Sequence, residues 1–197
     1  MKKNILAFLS VLTITVFMSL GYTVSAYGLY TYHWTKDTTC SYSVGTDFTD
    51  SGKYSVTLAD NQWNGISNRH VYIVNNNKGN SLTSATLNGV CDIFKAYMGT
   101  NYYLAATNLW YYTGTHHRSE GDIFVNVDYS IDATATSCPS DSYHLASIIA
   151  HEMGHLVGLD ESYIDGAVMY YSLSKGTVRY TLSSDDISGY NAITWND

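Results

Sequence analysis

The sequence predicts an α+β domain, and three observations carry that expectation. Strand-like segments recur between residues 38 and 127, residues 143–157 place apolar side chains at helical spacing, and Leu182-Ser183-Ser184-Asp185-Asp186 has the form of a late helix start. Strands beside an inner helix and a closing helix make an α+β sandwich.

The chain has 197 residues, 45% hydrophobic and 14% charged, which is too apolar and too lightly charged for a disordered one. Pro139 is its single proline, so no Pro-rich linker marks a boundary, and one folded domain is expected over residues 27–197. Residues 1–26 read as a secretory signal: Lys2 and Lys3, an apolar run from Ile5 to Leu20, then Val24-Ser25-Ala26 as a small-residue cleavage site. A secreted, extracellular protein without a membrane anchor is the expectation. The net charge of −7 becomes two units more negative once both lysines are removed, which argues against nucleic acid as a partner. In an oxidising compartment Cys40, Cys91 and Cys138 allow one internal disulfide by any of three pairings.

Taken in order, Thr38–Val44 has strand composition. Val56, Ala59, Trp63 and Ile66 then repeat at spacings of one helical face, in a helix that begins after Ser51-Gly52. Val71-Tyr72-Ile73-Val74 reads as a buried strand ending in the turn-prone Asn75-Asn76-Asn77-Lys78-Gly79. Residues 87–97 are ambiguous. Residues 104–112 and residues 122–127, from Asp122 to Val127, read as strands, and residues 128–141 form a Thr-, Ser- and Asp-rich loop. The helix of residues 143–157 turns Leu145, Ile148, Ile149 and Leu156 inward and stops at Gly158. The last helix starts at Ser183 or Ser184, with Asp185 and Asp186 in a first turn that favours negative charge.

The chemistry lies between residues 151 and 171. His151-Glu152-Met153-Gly154-His155 is H-E-x-x-H within a helix, where side chains four apart share a face, so two imidazoles can reach one Zn²⁺. Glu152 projects beside the metal as a general base for water. The run continues to H-E-x-x-H-x-x-G-x-x-E, with Gly158 where the chain must leave the helix and turn back.

On these residues the chain resembles the metzincin metallopeptidases, matrixin-like in most respects. Glu161 occupies the third-ligand position, Ala167-Val168-Met169-Tyr170 resembles the Met-turn with Met169 beneath the metal, and residues 182–189 resemble the start of the closing helix in matrixin-type enzymes. Gly121-Asp122-Ile123-Phe124-Val125-Asn126 resembles the edge strand along which the family binds its substrate. The resemblance spans most of residues 30–195, rests chiefly on residues 121–191, and implies a mixed, twisted sheet and a secreted zinc endopeptidase. A protein or peptide substrate would then lie along Asp122 to Val127 as an added strand.

The chain departs from the pattern at its third ligand. Most matrixin-like and astacin-like enzymes have histidine there and snapalysin-like enzymes aspartate, whereas this chain has glutamate, with Asp160 as the alternative ligand. His₂Glu is nonetheless a catalytic zinc set, and its added negative charge makes the ion a weaker Lewis acid. Tyr171 stands where astacin-like and serralysin-like enzymes carry a tyrosine that stabilises the transition state, against the plainer reading that it is one of 19 tyrosines.

Other candidates carry less. His116 and His117 with Glu120 and Asp122 read as a polar loop, since adjacent histidines of an extended segment face opposite ways. His33, His70 and His144 read as surface or capping residues. Asp128, Asp132 and Asp141 lack the D-x-[DN]-x-[DN]-G spacing, so calcium stays open. Two alternatives of other classes are a non-catalytic zinc-fold binding or inhibitory protein, and a zinc hydrolase of cell-wall substrates. The intact Glu152 weighs against the first.

Overall fold

A computed structural model describes residues 27–195; the expected signal segment, residues 1–26, lies outside them. Strand β1 (Tyr27–Leu29) is followed by β2 (Thr38–Val44), whose bounds match its strand composition. Helix α1 (Asp50–Asn64) starts earlier than its apolar spacing predicts because Thr49 is the cap, its side chain accepting the Gly52 N–H at 3.1 Å. Val56, Ala59 and Trp63 are buried on its inner face, and Ile66 is buried just beyond the helix end. Strand β3 (Val71–Asn75) then returns parallel to β2, which completes a strand–helix–strand crossover.

The ambiguous residues 87–97 contain β4 (Cys91–Ala96). Its first four residues are all buried, so the alternation that marks a half-exposed strand is missing. Strands β5 (Ala105–Tyr111) and β6 (Arg118–Asn126) complete a five-stranded sheet of order β3-β2-β4-β6-β5. The sheet is mixed: β2, β3, β4 and β6 are parallel, and β5 runs antiparallel to β6.

This order corrects one expectation. Asp122 to Val127 is not the edge strand, because β6 is paired on both sides, by β4 and β5, and seven of its nine residues are buried. The edge is β5. Nor do Glu120 and Asp122 belong to a polar loop. Both are buried in β6 and accept backbone N–H groups, Glu120 from Asn88 and Gly89, Asp122 from Thr86 and Asp92. They satisfy N–H groups of the irregular segment before β4 and, at Asp92, one of β4 itself.

The loop after β6 holds a short parallel pair, β7 (Ile131–Asp132) and β8 (Tyr143–His144), which takes the first two residues of the expected helix. Helix α2 (Leu145–Val157) follows, buried at every position but His151, then β9 (Leu159–Ser162), antiparallel to β1. Helix α3 (Ser184–Ala192) closes the chain, capped by Ser183 in a capping box with Asp186.

Helices α1 and α2 pack together against the sheet. Trp63 donates its indole N–H to Ala150 O at 2.8 Å, and Val56, Ala59, Ile149 and Met153 meet Ile73, Ile93, Ile123 and Val125 in one core. Burying each of the larger side chains contributes roughly 1.5–3 kcal/mol. No helix of the described residues is long and apolar enough to cross a membrane.

Candidate metal centre

His151 and His155 stand one turn apart on α2, their ring centroids 4.7 Å apart and their planes at 89°. Each ring is held from behind: His151 Nδ1 lies 2.9 Å from Val168 O, and His155 Nδ1 lies 2.9 Å from Leu159 O. A carbonyl can only accept, so Nδ1 carries the hydrogen in both rings and a neutral imidazole turns a bare Nε2 lone pair forward.

Gly158 ends α2 at φ 133°, a conformation that favours glycine, and its missing Cβ leaves room for Ile193. The reversal there places β9, and with it Glu161, over the histidines. Glu161 Oε2 is 3.5 Å from His151 Nε2, and Oε1 is 3.6 Å from His155 Nε2. Ligand atoms of all three residues lie within 4.8 Å of one another. Oε2 is buried and has no hydrogen-bond partner among the described residues.

Neutral imidazoles and a carboxylate that converge in this way repel unless a cation lies among them. The titration shifts show the same demand for positive charge: burial works against the charge of Glu161, yet the two histidines, when protonated at Nε2, hold its pKa down to about 2. Burial likewise disfavours charged His151, but Glu161 and Glu152 outweigh it and raise its pKa. The cluster attracts positive charge, and a His₂Glu donor set fits zinc. Asp160 is turned elsewhere. Its Oδ1 accepts the Glu161 N–H at 2.8 Å and its Cβ packs onto Gly28, leaving it outside the group.

Glu152, 6% exposed, follows His151 into a cleft of about 400 Å³. Its Oε2 accepts a hydrogen bond from Thr107 Oγ1 of β5 at 2.7 Å. Leu104, Ala105 and Ala106 line the same cleft, and β5 has no second strand partner among the described residues. Tyr171 also lines the cleft, 55% exposed, with its ring against Tyr170 and Tyr163. Tyr30 lines the cleft as well, its hydroxyl 3.4 Å from His155 Nδ1, and burial pushes its pKa up to about 12.

The turn at Met169 forms the floor. Met169 is fully buried, and a Cβ built on Gly154 would lie 2.0 Å from its sulfur and 2.8 Å from Trp63, so only glycine fits between the two histidines. Asp186 of α3 holds this turn by accepting the N–H groups of Val168 and Met169, each at 2.9 Å. Its carboxylate thereby positions the Val168 carbonyl that orients His151.

Several supports were not visible as site residues in the sequence. Thr107 and Tyr30 carry no motif. Arg118 is buried in β6 and donates to the carbonyls of Tyr32, His155 and Leu156, securing the end of α2, and burial lowers its pKa to about 10. Asp186 was legible as a helix-start acid, without its contact to the turn. His144 stands at the N-cap position of α2 but makes no side-chain cap hydrogen bond; it is fully buried, with Nδ1 2.8 Å from Ser147 Oγ and Nε2 2.8 Å from Thr134 O. Asp128 and Asp132 accept the N–H groups of Gly99 and Thr134.

The profile of one protein family, described as Matrixin, matches residues 33–194. Metalloendoproteinase 2-MMP of Arabidopsis thaliana is 29% identical over 103 residues, which cover 40% of this chain and 26% of the relative. Neutrophil collagenase of Homo sapiens is 41% identical over 68 residues, covering 34% and 15%. Metalloendoproteinase 1-MMP of Arabidopsis thaliana is 47% identical over 45 residues, covering 23% and 12%. The chain thus aligns with about a quarter or less of the length of these relatives.

Proposed function

The chain belongs to the matrixin family, and from that premise we propose that it is a secreted zinc endopeptidase with His151, His155 and Glu161 as its metal ligands. The observation that carries this reading is the convergence of two backbone-oriented imidazoles and a carboxylate beside a buried second glutamate. A zinc ion held by the three ligands supplies a Lewis acid that polarises a carbonyl and acidifies water.

The chain's own groups do the rest. Thr107 engages Oε2 of Glu152, which leaves Oε1 to take a proton from the attacking water and return it to the leaving amine. Burial keeps bulk water from competing for that carboxylate. A peptide substrate adds as a strand to the open edge of β5, where Leu104, Ala105 and Ala106 border the cleft, so main-chain hydrogen bonds hold the scissile bond in place. Tyr171, at the cleft rim, stabilises the oxyanion. Export rests on Lys2, Lys3 and the apolar run that precedes Val24-Ser25-Ala26.

Hydrolysis of an unfolded protein substrate tests the reading. Cleavage is expected with zinc, and is expected to vanish on chelation and in Glu152→Ala. Zinc binding without cleavage of any unfolded protein would refute the endopeptidase assignment.

A further inference from the structure

We propose that Cys40 and Cys91 form the disulfide of this protein, leaving Cys138 as its single thiol. Cys40 lies in β2 and Cys91 opens β4, two adjacent parallel strands in which Tyr42 stands opposite Cys91. The cysteines are therefore diagonal neighbours, and their Sγ atoms lie 2.8 Å apart. That is inside the roughly 3.5–4.0 Å of ordinary non-bonded contact, and a small rotation of both side chains brings the sulfurs to about 2.05 Å. Cys138 instead directs its Sγ at Ser142 O, 3.2 Å away in the loop before β8.

A small-molecule disulfide such as glutathione disulfide supplies the oxidising equivalents. One protein thiolate attacks its S–S bond and releases one glutathione thiolate; the second protein thiolate then displaces the other glutathione from the mixed disulfide. Two protein thiols lose two protons and two electrons, and one glutathione disulfide becomes two glutathione thiols.

The folded protein resists this exchange, because both sulfurs are buried, Cys40 at 2% and Cys91 at 4% exposure. The contact with Cys91 and burial push the Cys40 thiol well up, so thiolate is scarce there. The bond therefore forms while the chain folds. Once made, it ties together two strands 51 residues apart in sequence, a span that includes α1 and β3. A loop of that length restricts the unfolded chain enough to raise the thermal midpoint by roughly 5–15 °C.

The test folds the purified full chain in a buffer of oxidised and reduced glutathione. The expected product is lighter than the reduced chain by two hydrogens, gives a non-reduced peptide map joining Cys40 to Cys91, and leaves one alkylatable thiol, Cys138, after denaturation. Reduction should lower the midpoint by the stated amount, and Cys138→Ser should keep the link. Three alkylatable thiols, a link through Cys138, or loss of the link in Cys138→Ser would overturn the proposal. These readouts are independent of peptidase activity and of zinc.

Discussion

Replacing Gly154 by alanine adds one methyl group at the most crowded point beneath the histidines. The new Cβ would lie 2.0 Å from Met169 Sδ, 3.0 Å from Met169 Cε and 2.8 Å from Trp63 Cζ2. Relief requires the sulfur to retreat by at least about 1 Å, since cores are packed near crystal density. Trp63 cannot yield easily, because its indole N–H is tied to Ala150 O. Overpacking of this kind costs typically 1–3 kcal/mol, here at the upper end, and alanine returns about 1 kcal/mol in helix propensity. A net loss of about 2 kcal/mol lowers the thermal midpoint by about 4–8 °C in a domain of this size.

The displacement should also reach the candidate metal site, because Val168, whose carbonyl orients His151, precedes Met169. Calorimetric unfolding and zinc titration of Gly154→Ala, Met169→Ala and the double variant measure both effects. If the clash is the cause, the double variant is less destabilised than the sum of the singles, by about 1–3 kcal/mol. A Gly154→Ala protein that melts higher than the parent, with additive behaviour alongside Met169→Ala, would refute the packing argument.

Three further outcomes follow from the same contacts. Asp186→Ala leaves the N–H groups of Val168 and Met169 without acceptor and removes the α3 capping box, a loss of about 3–5 kcal/mol readable by denaturant unfolding. Thr107→Val removes the hydrogen bond to Glu152 and should lower kcat/KM about tenfold while zinc affinity is unchanged; equal loss of both would place Thr107 in the fold alone. Burial raises the Asp122 pKa to about 6 although Asp92 and Thr86 donate to it. The folded chain thus binds a proton between about pH 6 and 4 that the unfolded chain lacks. Asp122 accordingly contributes stability that is full at the acid end of that window and lost as the pH rises through 6. Carboxyl NMR that shows Asp122 titrating near 3.8 would contradict this.

The candidate metal site was legible because helical spacing, a glycine exit and a third acidic residue all fall within residues 151–161, so local geometry determines most of the cluster. The sheet edge was not. Residues 104–112 and 122–127 both read as strands, but which of two strands lies outermost depends on pairing partners distant in sequence. Burial separates them: seven of nine β6 residues are buried against one of seven in β5. Strand β1 escaped notice because three residues carry no period, and its partner β9 lies more than 100 residues away. The roles of Arg118 and Asp186 were hidden for the same reason, since each acts on backbone groups of another element.

The central claim is that His151, His155 and Glu161 bind zinc, and direct zinc titration of single variants tests it. One equivalent should bind the parent and Asp160→Ala with equal affinity, and Glu161→Ala should bind at least about a hundredfold more weakly. Loss of affinity in Asp160→Ala with none in Glu161→Ala would contradict it.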